Sequence, residues 1–133
     1  MERCFIEYTR WREENLPEDL AAEITAIAED EDEIYDRFCR DISFGTSGLR
    51  GKMGAGTNRI NSVVLRKASM GVARYLMEQY ENPGLVIGFD TRTNSKEYAA
   101  SVAEVFADNG VDAFLFYKAT PVPVVSFAVR PLG

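Results

Sequence analysis

Histidine is absent from this chain of 133 residues. That excludes a Ser-His-Asp triad and any histidine-ligated zinc site within it. Cysteine is scarce: Cys4 and Cys39 are the only two. Two thiols leave a thiolate zinc site incomplete and are too few for a disulfide framework. Cys39 falls in an amphipathic stretch and is expected as a small core residue, with Cys4 near a mobile end. The expected compartment is therefore reducing, hence cytoplasmic. No apolar run is long enough to span a bilayer, and Met1-Glu2-Arg3-Cys4-Phe5 has no hydrophobic signal region. Positive charge is in deficit too. Fifteen Lys and Arg against 21 Asp and Glu leave a net charge of −6, which argues against a nucleic-acid binder or a polybasic membrane module. Any chemistry here uses carboxylates, hydroxyls, Lys or Arg. The length fits one domain with one core.

Against this acidic background one stretch stands out. Between Phe44 and Asn61 the chain carries glycines at 45, 48, 51, 54 and 56, the cations Arg50, Lys52 and Arg59, and no acid. Glycine lets backbone N–H groups approach an anion closely. Arg binds phosphate oxygens with two teeth and Lys as a point charge. The run therefore fits an anionic small molecule, and equally an irregular surface connection with solvated charges. Two known phosphate loops do not fit. A Walker A loop ending at Gly51-Lys52 would need its first glycine where Thr46 stands and its magnesium-binding hydroxyl where Met53 stands. A dinucleotide fingerprint starting at Gly54-Ala55-Gly56 would need a glycine in place of Arg59, and no strand-forming run directly precedes it. Nucleotide binding is not expected.

The first forty residues have a helical pattern. Pro17 suits a first helical position, with Glu18 and Asp19 in the favourable first turn. Leu20, Ile24 and Ile27 recur at helical spacing, the acids from Glu29 to Glu33 mark a break or a solvated face, and Ile34 and Phe38 predict another short helix. Trp11 is expected to anchor packing. Asp41 to Phe44 lead into a short strand. After the glycine-rich run, Asn61 or Ser62 can cap a long helix whose buried stripe would be Val64, Ala68, Val72, Tyr75 and Leu76, with Gly71 marking a close approach to a sheet. Glu81-Asn82-Pro83-Gly84 is a stop and turn.

A βαβ unit follows. Leu85 to Phe89 reads as a strand buried on both faces. Asn94 and Glu97 form a capping-box pattern for a helix ending at Asn109-Gly110, and Val111 to Tyr117 reads as a second, parallel strand. Thr120-Pro121 opens a last helix. The strand expected after it is missing, so the chain reads as an open α/β layer cut short. Ligands of such sheets bind beyond the carboxyl ends of the strands, here Asp90 to Ser95 and Lys118 to Thr120. Asp90 and Arg92 are expected to pair with each other and brace their loop.

Taken together, Phe44-Gly45-Thr46-Ser47-Gly48-Leu49-Arg50-Gly51, Phe89-Asp90-Thr91-Arg92 with Asn94-Ser95-Lys96-Glu97, and Thr120-Pro121 with Ser126-Phe127-Ala128-Val129-Arg130 resemble successive segments of the α-D-phosphohexomutases, the phosphoglucomutases and phosphomannomutases. The run from Lys52 through Asn61 is similar to the branch holding phosphoglucomutase-2-like and phosphopentomutase enzymes. The resemblance covers about residues 40 to 133. It implies an α/β fold, a three-layer α/β/α domain with a mostly parallel sheet at residues 41–133, preceded by a helical arm at 1–40. It further implies the first of four domains around a cleft, in an enzyme that interconverts sugar 1-phosphate and 6-phosphate.

In that family an active-site phosphoserine donates its phosphoryl group to give a sugar 1,6-bisphosphate, with Mg2+ stabilising the transferring group. The phosphoserine lies in a Thr-Ala-Ser-His-Asn-Pro loop downstream of the Arg130 region. This chain contains no such loop, and it lacks the magnesium loop, the sugar-specificity loop and the phosphate-binding last domain. Carried over by position, Thr46, Ser47 and Arg50 would lie beside the phosphoserine, with Arg50 and Lys52 as phosphate-binding candidates. Ser47 is not the nucleophile. The partners implied are a sugar phosphate and the remaining mutase domains, and the chain alone is expected to be inactive. A natural single-domain phospho-ligand-binding or regulatory module, and a plain structural module, are the other readings. Glucose, mannose, ribose and deoxyribose phosphates all remain open as substrates.

Overall fold

The computed structural model describes residues 1–46 and 48–132, with side chains described through Val129; Ser47 lies outside the described residues. The chain is an α/β protein of two compact units, Met1–Val64 and Leu65–Gly133.

The first unit is built on three helices, α1 (Glu2–Glu13), α2 (Glu18–Ala26) and α3 (Glu31–Phe38). Pro17 stands one position earlier than the sequence pattern placed it, as the N-cap of α2, with Glu18 and Asp19 in the first turn. The acidic run is the break between α2 and α3. There Asp30 caps α3 by accepting from the Glu33 N–H at 3.0 Å. Ile34 and Phe38, one turn apart, point into the core. Phe38 is fully buried and receives Tyr8 and Trp11 edge-on, at centroid distances of 5.7 and 5.6 Å. The Tyr8 hydroxyl donates to the Ile24 carbonyl, tying α1 to α2.

The cysteines depart from expectation. Cys4 is buried rather than near a mobile end, and it is disulfide-bonded to Cys39 across a Cα separation of 4.4 Å. Reading each thiol alone missed this, because α1 and α3 bring together residues 35 apart in sequence. After α3 the chain forms a hairpin of β1 (Phe44–Gly45) and β2 (Gly48–Leu49), paired antiparallel.

The long helix α4 (Ser62–Gln79) begins at the end of the first unit and continues into the second. Asn61 caps it, its Oδ1 accepting from the Val64 N–H at 2.9 Å. The expected stripe holds in part: Val64 is buried and Ala68 and Leu76 are half-buried, whereas Val72 and Tyr75 are exposed and the small residues Ser69 and Ala73 are buried instead.

In the second unit β3 (Gly84–Ile87) pairs in parallel with β4 (Asp112–Leu115), joined through α5 (Ser95–Asp108). Gly110 ends α5 in the left-handed conformation, φ 81°, as the Asn109-Gly110 pair predicts. α5 packs on β4, and α6 (Val122–Leu132) packs on β3. The parallel pair is as expected, but neither strand is buried on both faces: Leu85 to Ile87 are half-buried, and Phe114 and Leu115 are 46% and 40% exposed. Each strand has one paired neighbour and one helix of this unit packed on it, α6 on β3 and α5 on β4.

Three local details also differ. Asn94 adopts φ 64° and makes no side-chain cap bond, so the capping box does not form. An N-cap needs extended backbone to aim its side chain at the helix N–H groups. Thr120 does not cap α6; its hydroxyl donates to Lys118, and the Pro121 carbonyl accepts the first helical bonds from Val124 and Val125. The close helix–sheet approach is at Gly88, where a Cβ would lie 2.4 Å from Val125 Cγ2, and not at Gly71, where a Cβ would meet nothing within 4 Å. Gly71→Ala is accordingly expected to stabilise the chain by up to about 1 kcal/mol, since helix propensity improves with no steric cost. A rise in the urea midpoint would show this, and a fall would show that something covers the site.

Candidate functional site

The glycine-rich run divides into two halves with opposite environments. Its first half is an exposed tip. Thr46 lies in the turn of the β1–β2 hairpin, and Arg50 and Lys52 follow β2; all three are exposed. Phe44 and Met53 are exposed as well. Lys52 Nζ is 3.8 Å from Asp36 Oδ2, a loose pair at a largely exposed side chain. Arg50 has no ion-pair partner among the described residues. The tip therefore presents a guanidinium whose charge nothing in the described part of the chain neutralises.

The second half, from Gly54 to Asn61, is the buried base. Ala55, Gly56, Thr57, Arg59 and Asn61 are all buried. Buried polar groups need partners, and each has them. The Asn61 amide donates to the carbonyls of Gly54 and Gly56, at 2.8 and 3.0 Å. The Thr57 hydroxyl donates to the Arg40 carbonyl at 2.8 Å, and the Thr57 carbonyl accepts from Ile42 N–H at 2.9 Å. Arg59 is ion-paired with Asp36 on α3. It reads in sequence as a third phosphate-facing cation, but it is 4% exposed and structural.

The N-terminal helices supply the rest of the support. Arg37 on α3 donates through Nε to Glu33 at 2.7 Å, and through Nη1 to Glu23 at 2.8 Å and to the Ala55 carbonyl at 3.1 Å. Glu23 Oε2 on α2 accepts both that bond and the Ala55 N–H at 3.0 Å. The ionisations follow these contacts. Burial pushes the Glu23 carboxyl up, but the Ala55 N–H and the Arg37 guanidinium together hold it below the usual range. Burial works against the charge on Arg37 too, and Glu33 and Glu23 overcome it, leaving its pKa raised. The hydrogen bond from Arg59 holds the Asp36 carboxyl below its ordinary value.

In the second unit the loop after β3 is braced from within, as expected. Asp90 Oδ1 accepts from the Arg92 N–H at 2.9 Å, Arg92 Nε lies 3.2 Å from Asp90 Oδ2, and the Asp90 N–H donates to Ser95 Oγ at 3.1 Å. The Arg92 N–H is the main reason the Asp90 carboxyl lies below its ordinary value. The Thr120 N–H donates to the Phe89 carbonyl at 2.9 Å, so the loop after β4 is tied to the end of β3. Among the described residues no group of three or more acidic or Cys side chains is placed to hold a metal ion, and no helix is long and apolar enough to cross a membrane.

Residues 41–133 match the phosphoglucomutase/phosphomannomutase alpha/beta/alpha domain I. The chain belongs to that family. Among its curated relatives is a phosphoglucomutase of Staphylococcus aureus (strain bovine RF122 / ET3-1), 43% identical over 100 residues, covering 74% of this chain and 18% of that protein. A second, from Staphylococcus aureus (strain MRSA252), is 44% identical over 94 residues, covering 69% and 17%. A third, from Staphylococcus saprophyticus, is 41% identical over 91 residues, covering 68% and 16%. The matched part of the chain thus spans less than a fifth of the length of these relatives. No solved structure matches significantly.

Family membership puts the exposed tip and the braced Asp90 loop inside the matched region, and leaves Glu23, Glu33, Asp36 and Arg37 outside it. These four were not singled out from sequence. Only the Glu33–Arg37 pair left a local signal, opposite charges one helical turn apart.

Proposed function

We propose that this chain is domain I, with a helical arm at residues 1–40 and the domain proper at 41–133, of a sugar-phosphate mutase. The enzyme interconverts sugar 1-phosphate and 6-phosphate through a phosphoserine and a sugar 1,6-bisphosphate. The phosphoserine belongs to a part of the enzyme downstream of this chain. The observation that carries the reading is the exposed tip of the family-matched loop, where Arg50 has no ion-pair partner among the described residues, on a base held by hydrogen bonds from Asn61 and Arg37.

In this reading Arg50 offsets charge on the phosphoryl group as it transfers, and Thr46 and Ser47 donate hydrogen bonds beside it. Lys52 adds a point charge for a substrate phosphate. The Mg2+ that the family implies finds no ligand set among the described residues, and none of these roles runs through it. We assign the chain to the branch of phosphoglucomutase-2-like and phosphopentomutase enzymes on the run from Lys52 to Asn61, with pentose phosphates as alternative substrates. We place it in the cytoplasm. The Cys4–Cys39 bond is then one of the uncommon disulfides of that compartment, shielded by the burial of Cys4.

A coupled assay of the full-length polypeptide that contains this chain tests the proposal. Conversion of glucose 1-phosphate, or of a pentose 1-phosphate, activated by the corresponding bisphosphate, is expected. The 133-residue chain alone is expected to give no turnover. A full-length protein that binds sugar phosphates but turns none over would instead make this a ligand-binding module.

A further inference from the structure

The N-terminal helices lie outside the family-matched region, yet they make the contacts that hold the base of the glycine-rich loop. Arg37 is at the centre of them, and three different parts of that one residue touch the loop. Its guanidinium donates to the Ala55 carbonyl at 3.1 Å. Its own carbonyl accepts from the Asn58 N–H at 2.9 Å. Its Cβ and carbonyl oxygen fill the space beside Gly56, where a glycine Cβ would come within 2.8 Å of both. Gly56 also has φ 131°, so the loop passes Arg37 only as glycine backbone.

Glu23 completes the clamp. One of its oxygens, Oε2, accepts from Arg37 Nη1 and from the Ala55 N–H. Both backbone groups of Ala55 are therefore held by a single ion pair that bridges α2 and α3. Glu33 fixes the other edge of the guanidinium through Nε. A planar donor fork with two anchored acids holds one orientation, which a flexible point charge would not. The Arg37 side chain is 17% exposed, so its charge is withdrawn from solvent and from any ligand.

We propose that Arg37, oriented by Glu23, is a positioning residue for the phosphate loop: it sets the height and angle at which the tip presents Arg50. This rests on the role given to Arg50 above. A displacement of about 1 Å in such a group costs rate without removing any contact to substrate. The helical arm thus becomes part of the catalytic machinery by support.

The test uses the full-length enzyme with Arg37→Met, Arg37→Lys and Glu23→Gln, each alone and combined with Arg50→Ala. In the parent background Arg37→Met is expected to lower kcat by about tenfold, and in the Arg50→Ala background by less than about twofold, because the two act through one geometry. Arg37→Lys is expected to fall between parent and Arg37→Met, since it keeps the charge but not the fork. Equal losses in both backgrounds would mean general destabilisation and would overturn the proposal, as would an unchanged kcat.

Amide hydrogen exchange on the same proteins needs no activity. Arg37→Met and Glu23→Gln are expected to speed exchange at Ala55 about tenfold or more, with α1 amides unchanged. Exchange that stays slow at Ala55, or rises uniformly, would also sink the clamp. Faster exchange in a protein with no mutase activity would instead preserve the clamp and reject the mutase reading. Should Arg37→Met fail to fold, Glu23→Gln carries the test, as Glu23 is 41% exposed and keeps an acceptor oxygen.

Discussion

Arg50→Ala is expected, on the proposed mutase reading, to lower kcat of the full-length polypeptide by about 100- to 1000-fold, the loss typical of removing one preorganised donor to developing charge. Two features of the chain set that size. Arg50 is exposed and has no ion-pair partner among the described residues, so its charge is not already spent on a carboxylate. The loop beneath it is held by Asn61, Thr57 and the Arg37–Glu23 pair, so little reorganisation would be needed for the phosphoryl group of the proposed reaction. The same exposure predicts that folding stability changes by less than about 0.5 kcal/mol. Arg50→Lys should recover part of the rate, because a point charge replaces the two-toothed donor. Steady-state kinetics at saturating sugar phosphate, with far-UV circular dichroism as a control, reads both quantities. A kcat within about threefold of the parent would remove Arg50 from the reaction.

Phe38→Ala is expected to cost about 3–5 kcal/mol, the range for deleting a fully buried aromatic ring. Phe38 has no exposed surface and takes the edges of Tyr8 and Trp11, so truncation opens a cavity shared by α1 and α3. The loss is large against the 5–15 kcal/mol that stabilises a whole domain. The Cys4–Cys39 bond keeps α1 and α3 tethered when the core loosens, so helix content should fall less than tertiary order. Trp11 is the only tryptophan and touches Phe38 directly, so its fluorescence during urea unfolding of this chain reports on this unit. A cost below about 1 kcal/mol would mean that the neighbours collapse into the space. The consequence also reaches the site, because α3 ends at Phe38 and the carbonyls of Arg37 and Arg40 hold Asn58 and Thr57.

What could be read from the chain alone was local or periodic. Ile34 and Phe38 at one-turn spacing, Asn61 ahead of a helix, Asn109-Gly110 behind one and the strand–helix–strand alternation all appear where the pattern put them. These features depend on neighbours within a few residues, and near neighbours are what a sequence displays. The family-specific order of motifs was legible for the same reason, as short runs that matched without any knowledge of packing.

The tertiary structure decided everything that depended on distant partners. Arg50 and Arg59 sit in one glycine-rich run with the same local chemistry. Among the described residues Arg50 has no ion-pair partner at the tip, whereas Arg59 is buried and paired with Asp36, 23 residues earlier. Cys4 and Cys39 looked unrelated until two helices brought them within bonding range. Which face of α4 is buried, and whether Gly71 or Gly88 marks the close approach, were settled by what packs against each residue. The sequence by itself determined the elements, the family and the candidate loop. Only long-range contact divided that loop into an exposed tip and a buried base, because an ion pair or a steric limit exists only where the chain returns to itself.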